Sequence, residues 1–226
     1  GLGDVYKRQA ERRADWWLFG GIYRPVYLTA KPRTQIEHIA VDARADGTLH
    51  TDVYLKNISK GQQLELSLIS CDSQLPIGRQ VCGLSTEEKQ ILTTHWNNIR
   101  TWDPEHPNLY RLTMRLLSTT GDVVHEITER IGFRTIEFRP EDGVYLNGTR
   151  LLVKGINRHC FDPETGRTIS RELSLKDALL IKQMNMNAVR SHYPPDTHFL
   201  EACDSIGLLY PVSYTHLRAH ETRRHL

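Results

Sequence analysis

Between residues 33 and 133 the chain is built of short segments with apolar side chains at every second position. This period restricts the fold more than any other feature. In TLHTDVYLKN, Leu49, Thr51, Val53 and Leu55 fall on one face and His50, Asp52 and Tyr54 on the other. Successive side chains of an extended chain point to opposite faces, so the pattern marks a half-buried strand. QIEHIAVDA precedes it and QQLELSLIS, EEKQILTTH, NLYRLTMRLLS and VVHEITERIGF follow, with turn residues between them at Asp46–Gly47, Ser59–Lys60–Gly61 and Gly121–Asp122. About seven such strands in roughly 100 residues predict an immunoglobulin-like β-sandwich. Residues 10–31, with WWLFGGIYRPVYL, a Gly20–Gly21 turn and Pro25, are aromatic and β-rich and read as the end of another β-domain.

After Arg134 the period changes. Residues 144–152 predict a hairpin around Asn147–Gly148, a dipeptide suited to two residues at positive φ. It leads into an apolar strand, LLVKGI. A helix follows, with Ser174 as the expected N-cap, Asp177 three residues on, and Leu175, Ala178, Leu179 and Met184 as its apolar stripe. Ala188–Val189–Arg190 is a second strand. Asp196 is placed to cap a second helix whose Phe199, Cys203 and Ile206 share a face; Gly207 ends it, and Leu208–Leu209–Tyr210 starts a third strand. Strand, helix, strand, helix, strand implies a parallel sheet with right-handed crossovers. Residues 134–211 suffice for about the first quarter of a (β/α)₈ barrel. The expected fold is therefore mostly β with a partial α/β.

The two ends fit neither pattern. GLGDVYKRQ (1–9) and VSYTHLRAHETRRHL (212–226) show no strand alternation and no helical stripe, and they resemble translated adapter sequence; both are set apart as foreign tails. Lys7 and Arg8 against Asp4, and Arg218, Arg223 and Arg224 against Glu221, account for +3 of charge. Removing it from the formal net charge of +2 leaves −1, which offers no footprint for nucleic acid. No stretch approaches the roughly 20 apolar residues that span a bilayer, so no membrane is expected. Cys71, Cys82, Cys160 and Cys203 show no metal-ligand spacing. Cys71 and Cys82 could face each other in the sandwich, but buried free thiols are the expectation. No metal and no cofactor is expected. The compartment stays open between bacterial cytoplasm and periplasm, and a homo-oligomer stays open for the parent protein.

Ligands of parallel α/β folds sit at the carboxyl ends of the strands. There the sequence places its densest polar clusters, Asn157–Arg158–His159 after the first barrel strand and Arg190–Ser191–His192–Tyr193 after the second. Arg, His and Asn side chains suit hydrogen bonding to sugar hydroxyls. Asn157 could instead form an Asx turn, and Arg158 could be a surface residue.

Five ordered blocks carry a resemblance to a known family: GGIYRPVYL, WDPEHPNLYRL, GINRH with PETGR, KQMNMNAVRSHYP, and CDSIGLL. In order and spacing they resemble glycoside hydrolase family 2, of the β-galactosidase and β-glucuronidase type. The resemblance implies the end of a jelly-roll sugar-binding domain (10–31), the immunoglobulin-like domain (33–133), and the start of the catalytic barrel (134–211). It implies a carbohydrate substrate, with His159, Arg190 and His192 lining the pocket for its terminal sugar. Many relatives carry one more residue between the Arg and the Ser–His–Tyr–Pro run, which makes Arg190 a weaker assignment than His192. The Ser–His–Tyr–Pro form also speaks against the β-mannosidase branch. Retaining glycosidases need two carboxyl groups about 5 Å apart, and in this family two Glu on later barrel strands are expected to supply them. Asp142, Glu164, Asp196 and Glu201 are the carboxylates at hand, and nothing pairs them, so no catalytic residue is assigned. A non-catalytic sugar-binding sandwich is the alternative, but it has no use for the start of a barrel.

Overall fold

The computed structural model describes residues 21–191 and 194–211. Seven strands form a two-sheet sandwich: β1 (Gln35–Ala43), β2 (Thr48–Lys56), β3 (Gln63–Ser70), β4 (Pro76–Gly83), β5 (Lys89–His95), β6 (Tyr110–Leu117) and β7 (Val123–Ile131). One sheet has the order β1-β2-β5 and the other β4-β3-β6-β7, and every pairing is antiparallel. Leu49, Thr51, Val53 and Leu55 of β2 are all buried, as their alternation requires. They meet Leu64, Leu66 and Leu68 of β3 and Leu112, Met114 and Leu116 of β6 in one core, closed by Ile36, Trp96 and Phe133. β3 lies between β4 and β6, whose side chains flank its outward face. Glu65 there is buried and satisfied by Arg79 and by Arg115, whose Nη1 lies 3.2 Å from Oε1. β4 has little apolar alternation of its own and pairs only with β3, at the sheet edge.

Residues 21–34 hold no strand or helix, and residues 10–20 of the aromatic run lie outside the described residues.

Beyond the sandwich, β8 (Ile136–Arg139), β9 (Gly143–Leu146) and β10 (Thr149–Leu151) make a small antiparallel meander. Asn147 and Gly148 take φ of +51° and +79°, the pairing that a tight primed hairpin turn demands. The apolar run LLVKGI is not one strand. Leu151 closes β10, Leu152 and Val153 are exposed, and the ladder resumes only at β11 (Gly155–Arg158). β11 pairs in parallel with β12 (Ala188–Ser191), and Leu209 bridges Ala188 in parallel on the other side. The crossovers are α1 (Arg171–Gln183) and α2 (Thr197–Ile206).

Two expectations for the helices are corrected. The N-cap of α1 is Ser170, whose Oγ accepts from the Leu173 amide at 3.1 Å, and Ser174 lies fully buried within the helix. The buried stripe is Ser174, Ala178 and Ile181, while Leu175, Leu179 and Met184 stay exposed. Small Ser174 and Ala178 allow close approach of α1 to its neighbours, and that contact chose the face over the larger leucines. Asp196 does occupy the N-cap position of α2, but its carboxylate makes no capping bond. Phe199 and Cys203 are buried against α1 and β12 as expected.

Sandwich and barrel start are joined around Trp102. Its indole Nε1 donates to the carbonyl of Asp204 on α2 at 2.8 Å, its amide donates to Phe133 O at 2.8 Å, and its carbonyl accepts from Asn147 Nδ2 at 3.1 Å. Lys182 of α1 reaches Pro104 O at 2.5 Å, and Arg130 of β7 reaches Glu201 O at 2.6 Å. Gly207 ends α2 at φ +82°, and a Cβ there would lie 2.1 Å from Pro104 O. Gly207→Ala therefore meets both the left-handed backbone cost and a backbone clash, whereas Gly121→Ala (φ +89°, open space) meets the first alone. Gly207→Ala is expected to lose at least about 1 kcal/mol more than Gly121→Ala, read from urea unfolding followed by tryptophan fluorescence.

Candidate functional site

The two parallel strands sort their side chains between a helix-covered face and an open one. Ile156 and Arg158 of β11 turn toward the helices, where Ile156 packs with Val189, Phe199 and Leu208. Asn157 and Arg190 turn the other way and are exposed. The register sets Asn157 opposite Arg190, and Arg190 Nη1 donates to Asn157 Oδ1 at 3.2 Å. Alternation puts His159 on the side of Asn157, and it too is exposed. On this face, at the carboxyl ends of the strands, three groups able to bond hydroxyls lie together. Asn157 is tied to Arg190 across the sheet, a contact that an Asx turn would not supply. His192 lies outside the described residues.

Arg158 is not a surface residue. It is buried, and its Nε and Nη2 both donate to Asp177 Oδ2 of α1, at 2.9 and 2.6 Å. Nη1 donates to Cys160 Sγ at 3.1 Å, and the guanidinium lies 3.9 Å from the Phe199 ring centroid. A charge-assisted pair held at this depth is costly to break from one side, up to about 3–5 kcal/mol where both partners are fully buried. Asp177 keeps a third of its exposure, which places this pair below that ceiling. Asp177, expected to support a helix cap, is the counter-ion of a strand-end arginine.

Arg24 comes to the same end of the sheet. Its Nη2 donates to Pro194 O at 2.6 Å and its Nε lies 3.5 Å from Asp196 Oδ1, which explains why that carboxylate does not cap α2. The segment ahead of the sandwich thus touches the loop after β12. Neither this contact nor the Arg158–Asp177 pair carries a local sequence signal, since the partners are 170 and 19 residues apart.

The remaining carboxylates are engaged elsewhere. Asp142 accepts from the Tyr145 hydroxyl at 2.7 Å, Glu164 lies on an exposed turn, and Glu201 pairs with Arg171. Among the described residues no group of three His, Cys, Asp or Glu could hold a metal. A concavity of about 550 Å³ lies between β1, β7 and α2, lined by Val41, Arg130, Arg134 and Asp204. It is away from the strand ends: two strands of a barrel cannot enclose a mouth, whereas the junction of two packed units leaves a cleft.

No disulfide joins any of the four cysteines, so Cys71 and Cys82 do not pair. Burial pushes the Cys203 thiol up to about 12, with Asp204 adding to it, and burial also raises Cys160. At pH 8 only about one Cys203 in ten thousand is then a thiolate. Cys160 and Cys203 should resist iodoacetamide in the native chain at pH 8 and react only in denaturant, as peptide mass analysis would show.

The architecture is thus an antiparallel two-sheet sandwich followed by the start of a parallel α/β sheet whose strand ends are polar. The sequence model "Glycosyl hydrolases family 2" matches residues 34–134, and "Glycosyl hydrolases family 2, TIM barrel domain" matches 138–225, a span running into the residues set apart as a tail. The chain belongs to glycoside hydrolase family 2. It is 35% identical over 221 residues to the β-galactosidase BgaC of Bifidobacterium adolescentis, covering 92% of this chain and 20% of that protein. It is 33% identical over 204 residues to a putative β-glucuronidase of Formosa agariphila, covering 88% and 24%. Among solved structures, the apo form of Bacteroides uniformis β-glucuronidase 3 superposes with a TM-score of 0.75 at 27% identity, over 88% of this chain and 25% of that one. The chain thus spans about a fifth to a quarter of the length of these relatives.

Proposed function

We propose that the complete protein is a retaining glycoside hydrolase that cleaves a terminal β-linked sugar, β-galactosidase-like, and that this chain supplies one wall of its sugar pocket. The observation that carries the reading is the Arg190–Asn157 contact on the uncovered face of the strand ends, with His159 beside it. His159, Arg190 and His192 are the residues proposed to hold the sugar. Arg190 presents a fork of donors, and neutral imidazoles can donate to or accept from a hydroxyl. Such contacts orient the ring and strengthen as charge develops at its anomeric carbon.

Retention needs a nucleophile and an acid/base about 5 Å apart, and both are proposed to be Glu residues on barrel strands beyond this chain. The preceding segment, 10–31, is proposed as the end of a jelly-roll sugar-binding domain. The sandwich, 33–133, acts as the spacer between it and the barrel start, 134–211. Arg24 supports this arrangement, because it ties the first unit to the rim of the last.

Two measurements test the proposal. The chain alone should not hydrolyse nitrophenyl β-glycosides above background; turnover abolished by a single Asp or Glu substitution within 134–211 would refute this division of roles. In the complete protein, His159→Phe or His192→Phe should lower kcat/KM about ten- to a hundred-fold, the equivalent of a lost hydrogen bond, with little change in melting temperature. A destabilised variant with wild-type kcat/KM would mark the histidine as structural.

A further inference from the structure

Arg158 is surrounded as no surface or merely space-filling arginine would be. Among the described residues β11 pairs with β12 as far as Arg158–Ser191. From that last rung the Arg158 side chain runs into the helix layer and is fixed in two directions. Two hydrogen bonds to Asp177 Oδ2 set the guanidinium within its plane, and the Phe199 ring at 3.9 Å limits motion along its normal. The third nitrogen bonds Cys160 Sγ at 3.1 Å, so the buried residues on either side of His159 are tied to each other. Both side chains point away from the open face, and His159 between them is directed onto it. The residue on the other side of Arg158 is Asn157, whose amide oxygen receives Arg190.

We infer that Arg158, anchored by Asp177, is a positioning residue for the proposed sugar pocket, fixing the backbone from which Asn157 and His159 project and, through Asn157, the guanidinium of Arg190. The inference rests on the reading of this face as the sugar pocket. Arg158 touches no substrate; it acts by holding the residues that do. Lysine cannot replace it, because a single ammonium lacks both the fork that grips Asp177 and the flat surface that stacks on Phe199.

A stabilising role and a positioning role make different predictions. A buried ion pair can be exchanged for apolar side chains of similar volume with little loss of stability, whereas such side chains do not reproduce its directed bonds. In the complete protein, Arg158→Met with Asp177→Leu should keep the melting temperature close to that of the parent. Its kcat/KM on a nitrophenyl β-galactoside should nonetheless fall about ten-fold or more. Adding His159→Phe to that pair should then cost much less than His159→Phe costs alone, because a misplaced ring has little left to lose. Arg158→Lys, which keeps the charge, should lower kcat/KM in the same direction, and it decides the matter if the double variant fails to fold. Wild-type kcat/KM in a folded double variant or in Arg158→Lys, or full additivity with His159→Phe, would overturn the positioning role. An inert His159→Phe would overturn the pocket reading itself. A damaging His159→Phe beside a wild-type-like double variant would overturn only the role of Arg158.

Discussion

The arrangement depends on one tryptophan. Trp102 sits in the connection between β5 and β6, nearly free of solvent contact, where the sandwich, the meander and α2 come together. Its backbone belongs to the sandwich through Phe133, its carbonyl to the meander through Asn147, and its indole nitrogen to α2 through Asp204. Burying an aromatic of this size removes roughly 200 Å² from water and ranks among the larger single contributions to stability. The hydrogen bonds add direction, which burial alone lacks. Gly132 leaves room for the indole, since a Cβ there would lie 2.9 Å from Trp102 Cβ. With Lys182 on Pro104 O and Arg130 on Glu201 O, this contact sets the orientation of α2 and the strands it covers relative to the sandwich.

From that fixed point the strand ends acquire a direction. A parallel strand covered by helices on one side has one face for packing and one for chemistry. Here the division is strict: Ile156, Val189 and Ser191 are drawn toward the helices, while Asn157 and Arg190 are left on the other face. Arg158 is the exception in chemistry and not in direction. It is a cation on the packing face, tolerated because Asp177, Cys160 and Phe199 surround it.

The two units differ in how completely they bury themselves. The sandwich encloses its apolar residues between two sheets. On α1, Leu175, Leu179, Leu180 and Met184 remain exposed, and nothing among the described residues covers them. A segment with its small residues packed and its large ones uncovered is consistent with a chain spanning a fifth to a quarter of its relatives.

The sequence by itself determined what periodicity and local chemistry can encode. Alternation in TLHTDVYLKN specified the buried face of β2, Asn147–Gly148 specified its hairpin, and Gly207 specified the end of α2, because each depends only on neighbours a few residues away. The strand ends were legible for the same reason, since Asn157, His159 and Arg190 follow directly from the two barrel strands. Only the tertiary structure decided which face of α1 is buried, because both its small and its leucine-rich stripe recur at helical spacing and the packing partner selects between them. Only it decided that Ser170 caps that helix, that Asp196 turns to Arg24 and away from the cap, and that Arg158 is buried against Asp177. The last two are contacts between groups distant in the chain, and their energies depend on burial and geometry that no local pattern contains. The Ser170 cap is local, to Leu173, and was settled by where the packed helix begins.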